Sequence, residues 1–344
     1  MKVIHGGDIY SNQIKYDFSV NINPLGVPEK VKAALHEAVN DCSNYPDISS
    51  EKLADAVSEM LSVSKDHLLF GNGASELFMA VIHAIRPEKT VIPIPSFYGY
   101  EHAAKANGGE IIYYETKDCN DFGIKENILS ILTDDVDLLF LANPNNPTGT
   151  LIGRECLLKI LKHCLMKNIY VVLDECFIEF CDKGLSMTKE IDSFPNLIII
   201  MAFTKIYSIP GVRLGYLISS NTSILNAINN QLPEWNISVF AERAGSACRG
   251  LNGFIDETIK YVDTERRYMN DNLLKLGFKV IPGKANFLLF YTDQPLYDQL
   301  LDKEILIRDC SNFRGLSKGY YRIAIKTRKE NEILLKAIGE LNHI

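Results

Sequence analysis

Between residues 91 and 218 short apolar runs alternate with helical stretches, and this alternation limits the possible folds more than any other feature of the chain. The runs are Val91–Ile94, Ile111–Tyr114, Leu138–Ala142, Tyr170–Leu173, Leu197–Phe203 and Leu214–Ile218. Each is strand-sized and well short of the ~20 apolar residues that a membrane crossing needs. Strand followed by helix, repeated, predicts an α/β fold: a mostly parallel sheet with helices on both faces. Ligand sites in such sheets form at the carboxyl ends of the strands.

The flanks read differently. Two amphipathic helices are predicted near the start, over Pro28–Val39 (Val31, Ala34, Leu35 and Ala38 on one face) and Glu51–Leu61, with the turn Asn44-Tyr45-Pro46-Asp47 between them. From about Asn221 the pattern changes. A long helix over Asp256–Leu276, strands at Phe287–Tyr291 and Tyr320–Ile325, and a last helix over Lys329–Leu341 predict a small α+β domain. A chain of 344 residues is long for one core. The expected division is an N-terminal segment, 1–30, that joins the small domain, a large domain, 31–240, and a small C-terminal domain, 241–344.

Charge and cysteine usage exclude several function classes. The net charge is −7, from 36 basic and 43 acidic residues, and no basic patch tracks along the chain, which argues against a nucleic-acid partner. His5, Gly6, Gly7 and Asp8 stand where a signal peptide would be apolar, so a cytosolic protein without a membrane span is expected. The eight cysteines are scattered with no C-x-x-C, which predicts free thiols in a reducing compartment and no metal site.

Four features fall at strand ends, in one order. Gly71-Asn72-Gly73-Ala74-Ser75-Glu76 opens an apolar helix, and small residues at a helix start let backbone N–H groups close around a phosphate. Asn143-Pro144-Asn145-Asn146-Pro147-Thr148-Gly149 is a rigid turn that can hold the Asn146 amide above the sheet. Asp174-Glu175 ends a buried strand, where a carboxylate needs a partner such as a pyridinium N–H. Thr204-Lys205 follows the next strand, with Arg213 eight residues on. Partial burial beside other cations would lower the Lys205 pKa, and Arg213 offers a fork for phosphate. Taken singly, each has a plain reading: a helix cap, a loop, a turn-capping Asp, a surface Lys or Arg. Together, at successive strand ends, they point to one site.

At these residues the chain resembles the fold-type I pyridoxal 5′-phosphate (PLP) enzymes. Within them it is similar to the branch holding histidinol-phosphate aminotransferase and threonine-phosphate decarboxylase. The decarboxylase type, which serves cobalamin biosynthesis, is the closer likeness. It rests on His5-Gly6-Gly7, on Asp17-Phe18-Ser19-Val20-Asn21-Ile22-Asn23-Pro24-Leu25-Gly26, and on Phe177 where the aminotransferases usually carry Tyr. The strings Phe203–Tyr216, Ile305–Phe313 and Tyr320–Ile325 also fit.

The resemblance implies roles by position. Lys205 would hold the cofactor covalently, Asp174 would pair with its pyridinium, Asn146 would bond the ring hydroxyl and Phe97 would stack on the ring. Ala74 and Ser75 N–H groups, Thr204 and Arg213 would bind its phosphate, joined in a homodimer by Tyr45 of the other subunit. Arg322 would clamp the substrate carboxylate, and His5, Asn23 and Arg308 would meet the rest of the substrate, His5 and Arg308 at a side-chain phosphate. The implied reaction is decarboxylation of O-phospho-L-threonine or a close phosphorylated amino acid, with amino transfer of the histidinol-phosphate type as the alternative. Two residues depart from the family: Ala202 stands where Ser usually donates to the cofactor phosphate, and Cys176 where Ala is usual.

Overall fold

The computed structural model describes residues 6–341. Thirteen strands occur in it: β1 (Tyr16–Asp17), β2 (Leu68–Gly71), β3 (Lys89–Ile94), β4 (Glu110–Glu115), β5 (Leu138–Ala142), β6 (Tyr170–Asp174), β7 (Leu197–Ala202), β8 (Gly215–Ile218), β9 (Lys279–Val280), β10 (Phe287–Tyr291), β11 (Ile305–Leu306), β12 (Arg308–Asp309) and β13 (Tyr320–Ala324).

Seven of them form one sheet in the order β2-β8-β7-β6-β5-β3-β4. The neighbours from β7 through to β4 pair in parallel, while β8 runs antiparallel to both β7 and β2. Why the central strands are apolar at every position follows from their packing. In β7, Leu197, Ile199 and Met201 join one core and Ile198 and Ile200 the other. In β5, Leu139 and Leu141 face the first core and Leu138, Phe140 and Ala142 the second. With a core on each face, the period-two alternation hides inside a continuous apolar run.

The expected strands are present with small shifts of border, and three differences have physical causes. Leu68–Gly71 was not anticipated as a strand; it is four residues long and runs straight into the glycine turn. Phe203 does not extend β7 but opens the short helix Phe203–Ile206. The apolar run outlasts the strand because Phe203 is buried against the Tyr207 and Tyr216 rings. The long helix starts at Asn252 and ends at Lys275, a turn earlier than its apolar periodicity suggested.

The C-terminal part builds a second, antiparallel sheet in the order β12-β13-β10-β9. It packs on the helices Asn252–Lys275 and Arg328–Leu341 through Phe290, Ile323, Met269 and Leu334. The N-terminal segment joins this part: β1 pairs in parallel with β11, and Phe18 is buried in the same cluster.

Candidate active site

Register sets the site. Ala142, Asp174 and Ile200 are neighbours across β5, β6 and β7, so the segments leaving these strands emerge at one edge of the sheet. Because β8 runs backwards, the residues before it arrive at that same edge, with Ala202 paired to Gly215 and Gly215 to Gly71. The glycine turn, the Asn-Pro turn, Asp174, Lys205 and Arg213 therefore converge although they span more than a hundred residues of chain.

They surround a cavity of about 730 Å³. Ala74, Ser75, Phe97, Asn146 and Asp174 line it from the large sheet, with Thr204, Lys205 and Arg213. Arg308 of β12 and Arg322 of β13 reach in from the smaller sheet. Three other expectations fall elsewhere. Asn23 does not line the cavity: its Nδ2 donates to Ile206 O at 2.7 Å and to Thr258 Oγ1 at 2.8 Å, a buried brace under the Lys205 segment. That geometry corrects the expectation of a substrate contact at Asn23; Asn21, two residues earlier, lines the cavity instead. Tyr45 is 80% exposed and touches Trp235, outside the cavity of its own chain. His5 lies outside the described residues.

Electrostatics differ from group to group. Burial, then the charge of Arg322, pushes the Lys205 amine down to about 8. Burial raises the Asp174 carboxyl above its ordinary value, and donors work against this. Its Oδ1 accepts from the Cys176 N–H at 2.9 Å and its Oδ2 from the Tyr100 hydroxyl at 2.5 Å. Arg322 is buried, which lowers its pKa to about 10. Its Nη1 donates to Asn146 Oδ1 at 2.5 Å and its Nη2 to Ser19 O at 2.8 Å, and it lies over the Phe287 ring. With the Asn146 oxygen taken, the amide N–H₂ is left to face the cavity. Arg308, also buried, donates to Asn312 Oδ1 at 2.7 Å and to Asp309 O.

The donor set fits a phosphorylated aromatic cofactor. Gly73, at φ +76°, leads into the helix Ala74–Ile85 with no side chain capping its first N–H groups. A Cβ on Gly73 would lie 2.3 Å from Arg213 Nη2, so only glycine lets the guanidinium lie against the helix start. This is an anion cradle. Phe97, Asp174 and Lys205, whose amine is held down to about 8, line the same cavity.

Several lining residues were given no role in the sequence reading. Asn312, Phe313 and Arg314 sit on a loop after β12, and Arg314 pairs with Glu101 at 3.2 Å across the mouth. No spacing rule marks such a loop. Tyr100, which stands behind the cavity wall against Asp174, could have been found, since it lies three residues beyond Phe97 at the start of one helix.

The chain is similar to known proteins over nearly its whole length. Residues 13–338 match the family model described as aminotransferase class I and II. A protein named as a candidate threonine-phosphate decarboxylase of Caldanaerobacter subterraneus subsp. tengcongensis is 38% identical, over 98% of this chain and 93% of its own. The threonine-phosphate decarboxylase of Salmonella typhimurium is 34% identical, over 97% and 95%. Among solved structures, the histidinol-phosphate aminotransferase of Clostridium acetobutylicum superposes with a TM-score of 0.91 at 35% identity, covering 96% of this chain and 99% of its own.

Proposed function

Because the chain belongs to the class I and II aminotransferase family, we propose that it is a PLP-dependent carboxy-lyase that releases CO₂ from O-phospho-L-threonine to give aminopropanol phosphate. The observation that carries this reading is a pair of buried guanidinium groups, Arg308 and Arg322, lining one cavity with Lys205. Two such cations match a substrate with a carboxylate at one end and a phosphate at the other.

Lys205 would hold the cofactor until a substrate amine replaces it, and the cofactor would then supply an electron sink conjugated to the substrate's Cα. The chain's own residues do the rest. Asp174, with a donor on each oxygen, would face the ring nitrogen. Thr204, Arg213 and the Ala74 and Ser75 N–H groups would take the cofactor phosphate, and Phe97 would cover the ring. Lys205 Nζ, with a pKa near 8, can hold the proton that Cα needs once CO₂ has left. Arg322, its plane fixed by Asn146 and Ser19, orients the carboxylate, and Arg308 orients the phosphate. Orientation decides whether the carboxylate or the hydrogen departs.

The Clostridium structure favours a second reading, amino transfer of the histidinol-phosphate type. One assay separates the two. The purified protein, PLP, O-phospho-L-threonine and 2-oxoglutarate are mixed, and CO₂ and glutamate are followed together. CO₂ without glutamate is expected. Glutamate without CO₂ would make the protein an aminotransferase.

Two broader readings belong with this proposal. Eight free thiols, Cys176 in the cavity wall among them, support a reducing, cytosolic setting, and no helix among the described residues is long and apolar enough to cross a membrane. The exposed Tyr45 and Trp235 rings support a homodimer in which Tyr45 serves the other subunit's cofactor phosphate.

A further inference from the structure

Tyr100 has no place in the reaction described so far, yet its hydroxyl is the shortest contact that the Asp174 side chain makes, at 2.5 Å to Oδ2. The residue is 1% exposed on the helix Tyr98–Asn107. Its ring is fixed on three sides: stacked on Phe140 at 5.1 Å, and edge-on to Phe78 at 5.1 Å and to Phe97 at 5.7 Å. A ring so packed has no freedom to swing its hydroxyl away from the carboxylate. The same ring abuts Phe97, the wall on which the cofactor would stack.

The surroundings of Asp174 give this contact its weight. The carboxylate is 9% exposed, among apolar side chains of β5, β6 and β7. Besides Tyr100, the ionisable groups that face it are Cys176, Lys205 and, from the next residue, Glu175. Glu175 is turned away to Ser186 and Met187. Among the described residues, Tyr100 and the Cys176 N–H donate directly to the oxygens of Asp174, and the Cys176 thiol adds a further hydrogen bond to the carboxylate. A buried carboxylate stays ionised in proportion to the donors it keeps, and the phenol, with its own pKa driven well above the ordinary range by burial, remains a donor at every working pH.

We propose that Tyr100 is a positioning residue that keeps Asp174 anionic and aimed at the ring nitrogen of the bound cofactor, an inference that rests on the PLP reading above. Its partner Asp174 touches the cofactor; Tyr100 acts through it. Without the hydroxyl, one carboxylate oxygen is left bare in an apolar wall, the carboxyl becomes harder to ionise, and the ring nitrogen gives up its proton more easily.

The test is Tyr100→Phe, which keeps the ring and its packing. Wild type and variant are each loaded with PLP carrying ¹⁵N in the ring, and the ring-nitrogen resonance is followed against pH. In the variant the ring nitrogen is expected to lose its proton at a pH about one unit lower or more, with kcat for the decarboxylation down roughly tenfold and KM within about twofold, the size expected when a charged group loses one hydrogen bond. Melting temperature and circular dichroism should be close to wild type, so a purely structural role cannot produce this pattern. A variant that titrates and turns over like wild type overturns the role of Tyr100 while leaving the PLP reading intact. A wild-type protein that takes up no PLP overturns both.

Discussion

At Gly73 a single hydrogen atom in place of a methyl group leaves room for the Arg213 guanidinium against the start of a helix. The residue sits at φ +76° and ψ 167°, a region that side chains with a Cβ avoid at a cost of ~1–3 kcal/mol. The added carbon would also meet Arg213 Nη2 at 2.3 Å. Gly73→Ala is therefore expected to weaken PLP binding by tenfold or more, read by titrating the apoprotein with PLP and following its absorbance, while melting temperature falls only modestly. Ala202 makes the opposite case. It lines the cavity at the end of β7, two residues before Thr204, where the resemblance drawn from the sequence implies a Ser. A hydroxyl there adds a donor toward the phosphate, and a hydrogen bond to a charged group stabilises by ~1.5–3 kcal/mol. Ala202→Ser should tighten PLP binding roughly tenfold in the same titration; unchanged affinity would mean that another donor already fills that role. Both residues were visible in the sequence as a glycine turn and as a departure from a motif. The contact between Gly73 and Arg213 was not, because it joins residues 140 positions apart and depends on the reversed direction of β8.

Elements carried most of the legible information. Apolar runs marked β3 to β8 because strands with a core on each face must be apolar throughout, and turns rich in Gly, Pro and Asn marked where the site residues leave the sheet. Short edge pieces such as β9, β11 and β12 left no signal, since two residues cannot display a period; Arg308 stood out only by resemblance. Asn23 misled for a related reason. A buried Asn in a loop looks the same in sequence whether it braces the backbone at Ile206 or meets a ligand. The segment after β6 also carries an electrostatic liability that no pattern reveals. Glu179, on the short helix Ile178–Phe180, has its carboxyl pushed up to about 8 by burial, with Glu175 adding to the effect. A carboxyl whose folded pKa lies above its ordinary value holds its proton more tightly in the folded state. Its contribution to stability is whole below about pH 4.5 and is lost as pH rises through about 8. Glu179→Gln, which cannot ionise, should thus melt higher than wild type at pH 9, by ~1–3 kcal/mol of stability, and the gap should close on acidification toward pH 4. Thermal melts across that range check the sign; an equal gap at both ends would mean that titration is not its cause.

At the scale of the molecule the site is shared between two sheets, which is why composition and charge set only its boundaries. Lys205 and Asp174 come from the large sheet and Arg308 and Arg322 from the small one. The segment after β1, which pairs with β11, brings Ser19 and Asn21 to the Arg322 guanidinium. The contacts that assemble these parts are long-range, and single strands or helices do not announce them. The exposed surface extends the same logic beyond one chain. Val39, Tyr45, Ile48 and Trp235 leave 59, 80, 65 and 44% of their surface in water. Tyr45 and Trp235 pack on each other at 4.8 Å without touching their own cavity. Exposed aromatic pairs of this kind are costly in a monomer and suit an interface. If the homodimer reading holds, Tyr45 also completes the phosphate cradle of the other subunit, so assembly and cofactor retention should fail together. The double variant Tyr45→Ser and Trp235→Ser is expected to shift sedimentation from a dimer to a monomer of 38.7 kDa and to raise the apparent Kd for PLP in step, with the circular dichroism of the folded chain retained. A wild-type protein that sediments as a monomer, or a monomeric variant that holds PLP as tightly as wild type, would remove Tyr45 from the cofactor site and leave the cradle to Thr204, Arg213 and the start of the helix Ala74–Ile85.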